Sequence, residues 1–279
     1  MKIKLGAHMS SAGGYHKAVE RVAEIGGNAL QLFSSSPRGW SFPNPDQSQI
    51  DAFLEAQKRL DINPIYFHAS YLINLADDSR IGHLSKQSLI NELNLAPKMN
   101  IKGSIVHLGS YKTETTPEKY RTLIGNISEI IDKTDNDSLF MIENAGNRKI
   151  GQTLEEIGQI IHDVGSERIK VCLDTCHLFS NGYDLRSDKQ LEELLFQFDK
   201  NIGLNRLEVW HFNDSRDSLN SGRDRHENIG QGTIGLEEFR VIMNHPKTRD
   251  YPLIIETPGF DGKGPDKKNL DILKSLINE

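Results

Sequence analysis

The sequence predicts a closed barrel of eight parallel β-strands, each followed by an α-helix, built as a single domain over residues 1–279. Short apolar runs alternate with amphipathic stretches from one end of the chain to the other. The length suits this architecture, because such barrels usually take about 250 residues as one domain. An open doubly wound sheet is the alternative, but no glycine-rich phosphate loop follows any of the apolar runs. The prediction is therefore an α/β protein of the (β/α)8, or TIM-barrel, class.

The predicted strands and helices alternate along the chain. The strands are short and apolar, and they cover residues 3–7, 29–33, 64–68, 104–107, 139–143, 169–174, 207–211 and 252–256. Apolar residues at helical spacing occupy the windows 15–23, 50–60, 89–99, 120–131, 154–164, 191–198, 236–243 and 270–277. Two windows begin with capping signals, Thr116 before Pro117 and Thr153 three residues before Glu156. Such alternation places helices around a parallel sheet.

The composition is that of an ordered protein with a mild excess of acid. Lys and Arg total 33 against 39 Asp and Glu, which gives a formal net charge of −6. A negative chain is a poor partner for nucleic acid unless bound cations offset the charge. The chain has only two cysteines, so a disulfide framework is excluded. Without a secretory leader or an apolar run of about 20 residues, we expect a cytoplasmic monomer with no membrane association.

Six consecutive predicted strands end in a residue that can bind a metal ion. These residues are His68, His107, Glu143, Asp174, His211 and Glu256. In a barrel all six converge on the carboxyl-terminal rim, where the catalytic groups of this fold lie. One such residue alone is more often a hydrogen-bonding loop residue. Six in series favour a metal site, because buried parallel strands have little other use for imidazoles and carboxylates at their ends.

Two short motifs extend this set to nine. Asp174-Thr175-Cys176-His177 places an imidazole one turn after a strand-end carboxylate, and Asp224-Arg225-His226 presents both groups in the loop after the seventh strand. Nine ligands exceed the roughly four that one zinc ion takes, so two or three ions are expected. Mixed imidazole and carboxylate sites suit zinc, with manganese as a possible substitute.

The two cysteines differ in their expected positions. Strand alternation places Cys172 on the inward face one layer below Asp174. Five apolar residues stand in the same relation to the other strand-end ligands: Tyr66, Ile105, Met141, Val209 and Ile254. We therefore expect Cys172 to fill the core. Cys176 lies between two candidate ligands in the sequence and is an alternative metal ligand. His8, at the end of the first strand, is expected to contact the metal ligands without binding metal itself.

Several long strings in the sequence closely resemble the endonuclease IV family of zinc-dependent abasic-site nucleases, over essentially the whole chain. They are Gly6-Ala7-His8-Met9-Ser10, His68-Ala69-Ser70-Tyr71-Leu72-Ile73-Asn74-Leu75, Val171-Cys172-Leu173-Asp174-Thr175-Cys176-His177, His211-Phe212-Asn213-Asp214-Ser215-Arg216 and Gly230-Gln231-Gly232. The chain departs from the commoner family pattern over residues 144–151 and at Leu108.

The resemblance implies a trinuclear zinc site. By analogy, His68 and His107 hold one ion, Asp174, His211 and Glu256 hold a second, and Glu143 bridges the two. His177, Asp224 and His226 hold the third. Glu143 and Glu256 are the expected catalytic carboxylates. The implied reaction is hydrolysis of the phosphodiester bond 5′ of an abasic site in duplex DNA, which leaves a 3′-hydroxyl and a 5′ deoxyribose phosphate.

Arg38 with Trp40, after the second strand, and Tyr71 with Leu72, after the third, are suitable side chains to insert into the DNA helix. The resemblance favours Arg38 and Tyr71 as the inserted pair. Arg225, in the loop after the seventh strand, is a further expected DNA contact. Other loop cations expected to face DNA are Lys112, Arg148, Lys149, Arg216 and Arg223. Three Zn²⁺ ions would neutralise the formal charge of −6. Two alternatives remain: a metal-dependent sugar isomerase or epimerase, and a non-catalytic protein that binds lesions or stores zinc.

Overall fold

The computed structural model describes residues 3–146 and 149–278, and these form a closed parallel barrel. Eight strands build it: β1 Leu5–His8, β2 Ala29–Phe33, β3 Ile65–His68, β4 Gly103–Val106, β5 Leu139–Glu143, β6 Ile169–Asp174, β7 Leu207–His211 and β10 Leu253–Ile255. A small antiparallel hairpin, β8 Asp214–Ser215 with β9 His226–Glu227, stands apart from the barrel. The ring closes where β1 pairs with β10 on one side and β2 on the other. The predicted fold class is confirmed.

Nine α-helices occur in the described part of the chain. They are α1 Tyr15–Glu24, α2 Gln47–Leu60, α3 Arg80–Leu95, α4 Pro117–Asp132, α5 Leu154–Val164, α6 Thr175–Ser180, α7 Asp188–Asn201, α8 Leu236–Asn244 and α9 Lys267–Lys274. Side-chain caps fix several starts, among them Asp46 in a capping box before α2 and the predicted caps Thr116 and Thr153. The buried faces of these helices pack on the outside of the sheet.

The core has two parts. The larger lies between the sheet and the helices. The smaller, which we call the interior layer, fills the barrel and consists of Ala29, Tyr66, Ile105, Met141, Cys172, Val209 and Ile254. Cys172 is therefore a core residue, as strand alternation predicts. Burial raises the pKa of its thiol to about 12, so it stays protonated.

Helix α3 begins nine residues before the predicted window of 89–99. Its buried face includes Gly82, Ser85 and Ser88, which carry no apolar signal, so the helical period is invisible over the first two turns. Ser79 caps the start by accepting a hydrogen bond from the backbone of Ile81. The α-helix ends at Leu95, and residues Ala96–Met99 continue as a 3-10 helix that contains a proline.

Two elements beyond the predicted eight pairs lie at the carboxyl-terminal rim. Helix α6 follows β6 with no intervening loop, and the β8–β9 hairpin follows β7. The other differences are shifts of a few residues, such as β4 ending at Val106 rather than His107. Within the part of the chain that the structure describes, no helix combines the length and the apolar character needed to cross a membrane.

Candidate metal centre

The nine candidate ligands come together at the carboxyl-terminal rim of the barrel. Four of them end a strand: His68, Glu143, Asp174 and His211. Two follow a strand directly: His107 and Glu256. The other three lie in α6 or in the loop and hairpin after β7: His177, Asp224 and His226. The register of the sheet contributes to this convergence, since Asp174 pairs directly with His211.

Glu143 is fully buried at the centre of the cluster. Its Oε2 lies 3.2 Å from Nε2 of His68 and 3.3 Å from Nε2 of His107. Its Oε1 lies 3.1 Å from Nδ1 of His211 and 3.4 Å from Nδ1 of His177. The two oxygens of one carboxylate thus face two different sets of imidazoles. This arrangement suits a carboxylate that joins two cations.

Asp174 and Asp224 connect the remaining imidazoles. Oδ1 of Asp224 lies 3.1 Å from Nε2 of His177 and 3.4 Å from Nε2 of His226. Oδ2 of Asp174 lies 3.7 Å from Nε2 of His226 and 3.9 Å from Nδ1 of His211. Asp174 therefore stands between the two halves of the cluster.

Four overlapping groups each bring their ligand atoms within 4.8 Å of one another: His68 with His107 and Glu143; Glu143 with Asp174, His211 and Glu256; Asp174 with His177 and His226; and Cys176 with Asp224 and His226. The first two coincide with the groups that the family resemblance implies. In the third, Asp174 stands where the resemblance implies Asp224. In the fourth, Cys176, the alternative ligand, joins Asp224.

Backbone carbonyls orient two of the imidazoles. Nδ1 of His68 donates to the carbonyl oxygen of Ala69, and Nδ1 of His177 donates to that of Asn144, both at 2.8 Å. In each ring this leaves Nε2 as the free lone pair, and Nε2 faces a carboxylate of the cluster. A hydrogen-bonded second nitrogen is the usual arrangement of a metal-binding histidine.

Asn213 and Asn144 hold the carboxylates, and the sequence pattern does not identify either residue. The amide of Asn213 donates to Oδ2 of Asp174 at 2.6 Å, and its oxygen accepts from the backbone N–H of Glu256 at 2.8 Å. Asn144 accepts from the backbone N–H of Asp174 at 2.6 Å. The available signal is proximity in sequence, because Asn144 follows Glu143 and Asn213 lies two residues after His211.

The charges of the cluster shift the pKa values of its members in opposite directions. Burial alone raises the pKa of Glu143, but His107 and His211 lower it well below its usual range. Burial alone lowers the pKa of His177, but Asp174, Asp224 and Glu143 raise it to about 10. His107 has a pKa lowered to about 3, chiefly by burial. Glu143 is therefore ionised at neutral pH even without a metal ion, and its negative charge attracts cations.

The donor set fits zinc. Imidazole nitrogens and carboxylate oxygens in groups of three or four are typical zinc ligands. Nε2 of His226 is buried and has no hydrogen-bond partner among the described residues, although it faces Asp174 and Asp224. A cation in this position would satisfy the nitrogen and both carboxylates at once.

A second network fixes the loop that carries Asp224 and His226. Asp214 accepts hydrogen bonds from four backbone N–H groups, those of Ser215, Gly230, Gly232 and Ile234. Asp217 accepts from Nε and Nη2 of Arg225, the residue between the two candidate ligands. Arg223 reaches the same carboxylate at 3.5 Å. The hairpin is therefore tied down on both sides of the metal-facing residues.

Glycine is required at position 146 because the loop after β5 passes very close to His177 and Asp224. A Cβ at this position would lie 2.7 Å from Cδ2 of His177 and 3.0 Å from Cβ of Asp224. Real Cβ atoms essentially never approach another atom as closely as the first distance, and the second is tighter than most real contacts. Glycine therefore allows the loop after β5 to pack against the third group of ligands.

Three comparisons with known proteins agree with this architecture. A family described as a xylose isomerase-like TIM barrel matches residues 19–276. The probable endonuclease 4 of Halothermothrix orenii is 39% identical over 276 residues, which cover 98% of this chain and 99% of the relative. That of Trichlorobacter lovleyi is 36% identical over 281 residues, which cover 98% and 99%. The chain belongs to the endonuclease IV family.

Solved structures give the same assignment. Endonuclease IV from Thermus thermophilus superposes with a TM-score of 0.85 at 31% sequence identity and covers 98% of both chains. A 3-keto-D-glucoside 4-epimerase from E. coli superposes with a TM-score of 0.70 at 13% identity, covering 98% of this chain and 100% of the epimerase. At that identity the epimerase shows only that the fold is shared. The resemblance to the endonuclease IV family is confirmed.

In this member of the endonuclease IV family the cluster opens into a cavity of about 460 Å³. Five residues outside the candidate ligands and His8 line its walls: Tyr71, Lys149, Thr257, Gly264 and Pro265. Tyr71 is 63% exposed and stands with its ring edge-on to Phe33, at 5.3 Å between centroids. An exposed aromatic ring beside a buried charged cluster is a suitable surface for contact with a ligand.

The loops after β2 and β3 of this endonuclease IV relative are joined to each other. Ser70 Oγ and the backbone N–H of Tyr71 both donate to the carbonyl oxygen of Pro37, at 2.8 and 3.2 Å. Arg38 follows Pro37 and is exposed. Leu72 is 36% exposed. The structure thus places the predicted DNA contacts Arg38, Tyr71 and Leu72 on adjacent loops, and of these Tyr71 lines the cavity.

The other predicted DNA-facing cations occupy different environments. Lys149 lines the cavity. Lys112, Arg216 and Arg225 are paired with Asp77, Glu227 and Asp217. The three cations are 49–57% exposed, whereas Asp77 and Asp217 are only 8% exposed. Arg148 lies outside the described residues.

Proposed function

We propose that this chain is a DNA-repair endonuclease that hydrolyses the phosphodiester bond 5′ of an abasic site in duplex DNA. The products are a 3′-hydroxyl and a 5′ deoxyribose phosphate. The observation that carries the proposal is the convergence of nine imidazole and carboxylate side chains, with Glu143 at their centre, beside an open cavity. Its support from relatives is the full-length similarity to proteins called probable endonuclease 4.

Three zinc ions are the proposed cofactor, with manganese as a substitute. His68 and His107 would hold the first, Asp174, His211 and Glu256 the second, and His177, Asp224 and His226 the third. Glu143 would be shared between the first two. When bound, zinc lowers the pKa of water to about 7 and neutralises charge on a phosphate. The distances between Asp174 and His226 make Asp174 a further candidate for the third site.

The protein groups have two tasks in this proposal. Glu143, with one oxygen toward His68 and His107 and the other toward His211, fixes the spacing of the central site. Glu256 keeps one oxygen 3.4 Å from Nδ1 of His211 and lines the cavity, so it stands between the buried cluster and an incoming phosphate. Both carboxylates act through position and charge, and their depressed pKa values keep them ionised.

Recognition of the lesion is assigned to the exposed loops. A protein that acts on an abasic nucleotide inside duplex DNA must move it out of the stack and fill the gap. Tyr71 offers an exposed ring and Arg38 an exposed cation on adjacent loops. We expect Tyr71→Ala to reduce the preference for abasic over intact duplex by about tenfold, since base–aromatic stacking contributes about 1–3 kcal/mol. Equal discrimination by variant and wild type in a binding titration would contradict this role.

The deciding experiment is a nicking assay on a duplex that carries one tetrahydrofuran abasic analogue and a 5′ label. We expect a single cut 5′ of the analogue, extension of the product by a DNA polymerase because its end is a 3′-hydroxyl, and loss of cutting after treatment with a zinc chelator. The intact duplex is the control substrate. A zinc-loaded protein that leaves the abasic duplex uncut but interconverts ketose epimers would replace the proposal with the sugar epimerase alternative. A zinc-loaded protein without either activity would leave lesion binding or zinc storage.

A further inference from the structure

Gln31 lies in the centre of the rim although it belongs to none of the candidate ligand groups. It is fully buried in β2, two residues after Ala29 of the interior layer, so its side chain points inward one layer higher. At this height β3, β5, β6 and β7 each supply a candidate ligand, and so do the residues that directly follow β4 and β10. Strand β2 supplies an amide instead.

The amide makes three short contacts. Oε1 of Gln31 lies 2.7 Å from Nε2 of His211. Nε2 of Gln31 lies 2.6 Å from Oε1 of Glu256 and 2.8 Å from Nδ1 of His8. One side chain thus contacts two candidate ligands from different strands and the histidine at the end of β1.

The chemistry of these partners fixes which atoms carry hydrogens. The Glu256 carboxylate only accepts, so the Gln31 nitrogen must be the atom that faces it, and the Gln31 oxygen must face His211. Nε2 of His211 then carries the proton and donates to Gln31. This leaves the Nδ1 lone pair of His211 directed at Oε1 of Glu143 and Oε2 of Glu256, at 3.1 and 3.4 Å.

His211 differs in this respect from His68 and His177. Those two rings donate to backbone carbonyls, which no substitution removes. The Nε2–H of His211 donates to a side chain, and the same side chain also restrains Glu256. A single substitution at Gln31 can therefore release two candidate ligands together without changing either of them.

We propose that Gln31 is a positioning residue that fixes the tautomer of His211 and the orientation of Glu256, and so sets the metal affinity of the site they share. The inference rests on the metal site of the proposed function but not on DNA cleavage. Replacing a hydrogen-bond partner of a metal ligand typically costs about 10–100-fold in metal affinity.

The test compares Gln31→Met with Gln57→Met. Methionine matches the length of glutamine but cannot form these hydrogen bonds, and Gln57 is a buried glutamine of α2 without contact to the candidate ligands. Zinc affinity is measured by competition with a chromophoric chelator, and the ligand field by the visible absorption of cobalt-substituted protein. We expect about 10–100-fold weaker binding of one zinc and altered cobalt bands for Gln31→Met only. Wild-type affinity and an unchanged cobalt spectrum in Gln31→Met would overturn the inference.

Gln31→Glu separates the two parts of the role and provides a second variant of nearly the same shape. It keeps an acceptor for His211 but loses both donors, so we expect zinc affinity between those of wild type and Gln31→Met. Equal loss in the two variants would contradict the tautomer argument. Since no measurement involves DNA, a wild type that binds zinc without nicking refutes the proposed function alone. A wild type that nicks, paired with an unaffected Gln31→Met, refutes this inference alone.

Discussion

Two layers of inward-facing side chains occupy the same strands of the barrel, two residues apart, and have opposite characters. The interior layer is apolar or neutral, and each of its members precedes a member of the layer above by two positions. We call that upper set the rim layer: Gln31, His68, His107, Glu143, Asp174, His211 and Glu256. A step of about 6.6 Å along each strand therefore separates the two environments.

The difference teaches where stability and function are located in this molecule. Burial of the interior layer removes apolar surface from water and stabilises the fold. The rim layer buries carboxylates that face imidazoles, and a bound cation would offset the desolvation cost of these charges. Substitutions in the two layers should therefore separate metal binding from folding.

The largest effect is expected for Glu143→Gln in the rim layer. The amide keeps the shape of the side chain but removes the charge that faces His68, His107 and His211. We expect cleavage of abasic duplex to fall below detection and bound zinc per chain to decrease, as measured by mass spectrometry of the metals. The metal-free variant should melt at or above the temperature of the metal-free wild type. A variant that retains full zinc and full cleavage would show that Glu143 does not join the ions.

The matching substitution in the interior layer is Met141→Ala, which we expect to reduce stability without reducing zinc binding. It lies two residues before Glu143 on β5 and is fully buried. The cavity it creates should cost about 2–5 kcal/mol in the free energy of unfolding, measured with urea on metal-free protein. Zinc content and cleavage at a permissive temperature should stay at wild-type values. Loss of zinc without loss of stability would remove the distinction between the layers.

The pH dependence of stability gives a further test, at a buried carboxyl group that is not part of the rim layer. Glu92 of α3 accepts hydrogen bonds from Ser34 and Ser104. Burial raises its pKa to about 7, while the two hydroxyls and His68 oppose the shift only in part. The folded protein therefore keeps the Glu92 proton up to a higher pH than the unfolded chain does. As a result, the free energy of unfolding decreases as the pH rises from about 4.5 to 7.

Glu92→Gln should remove that pH dependence. Relative to wild type, the metal-free variant should gain on the order of 2 kcal/mol in the free energy of unfolding between pH 5 and pH 8. Urea titrations at the two pH values give this difference, and other titrating groups cancel because they are common to both proteins. A constant difference across the range would mean that Glu92 is already ionised in the fold.

The smallest effect is expected at the hairpin. Asp217→Asn weakens the contact with Arg225, so the loop that presents Asp224 and His226 should become less ordered. We expect about tenfold weaker binding of one zinc ion with the other two unaffected. Asp184→Asn is the control, since Asp184 forms a similar two-point pair with Arg186 outside the hairpin. Equal zinc affinities in the two variants would show that the hairpin needs no such tie.

The sequence was sufficient for the fold. It also named nine candidate ligands, whose role in metal binding stays a prediction. Strand alternation separated Cys172 from Asp174 correctly because the period of two is a geometric property of every strand. The structure brings all nine predicted ligands together, although their grouping around individual ions stays a prediction.

Contacts between distant residues could not be read from local patterns. Gln31 meets Glu256 across 225 positions of sequence, and Asn213 meets Asp174 across 39. The hairpin that carries His226 has strands of only two residues, too short for a periodic signal. The start of α3 was missed for the opposite reason, because its buried face is polar and small. Residues that hold the ligands were therefore harder to find than the ligands.

Closure of the ring by β10 against β1 has a consequence for biosynthesis. The candidate ligand Glu256 directly follows the strand that seals the barrel, and the other seven barrel strands all precede it in the chain. During translation, those earlier strands leave the ribosome with two unpaired edges and an incomplete cation site. Zinc capture and sealing of the sheet should then occur together, once β10 and Glu256 have emerged.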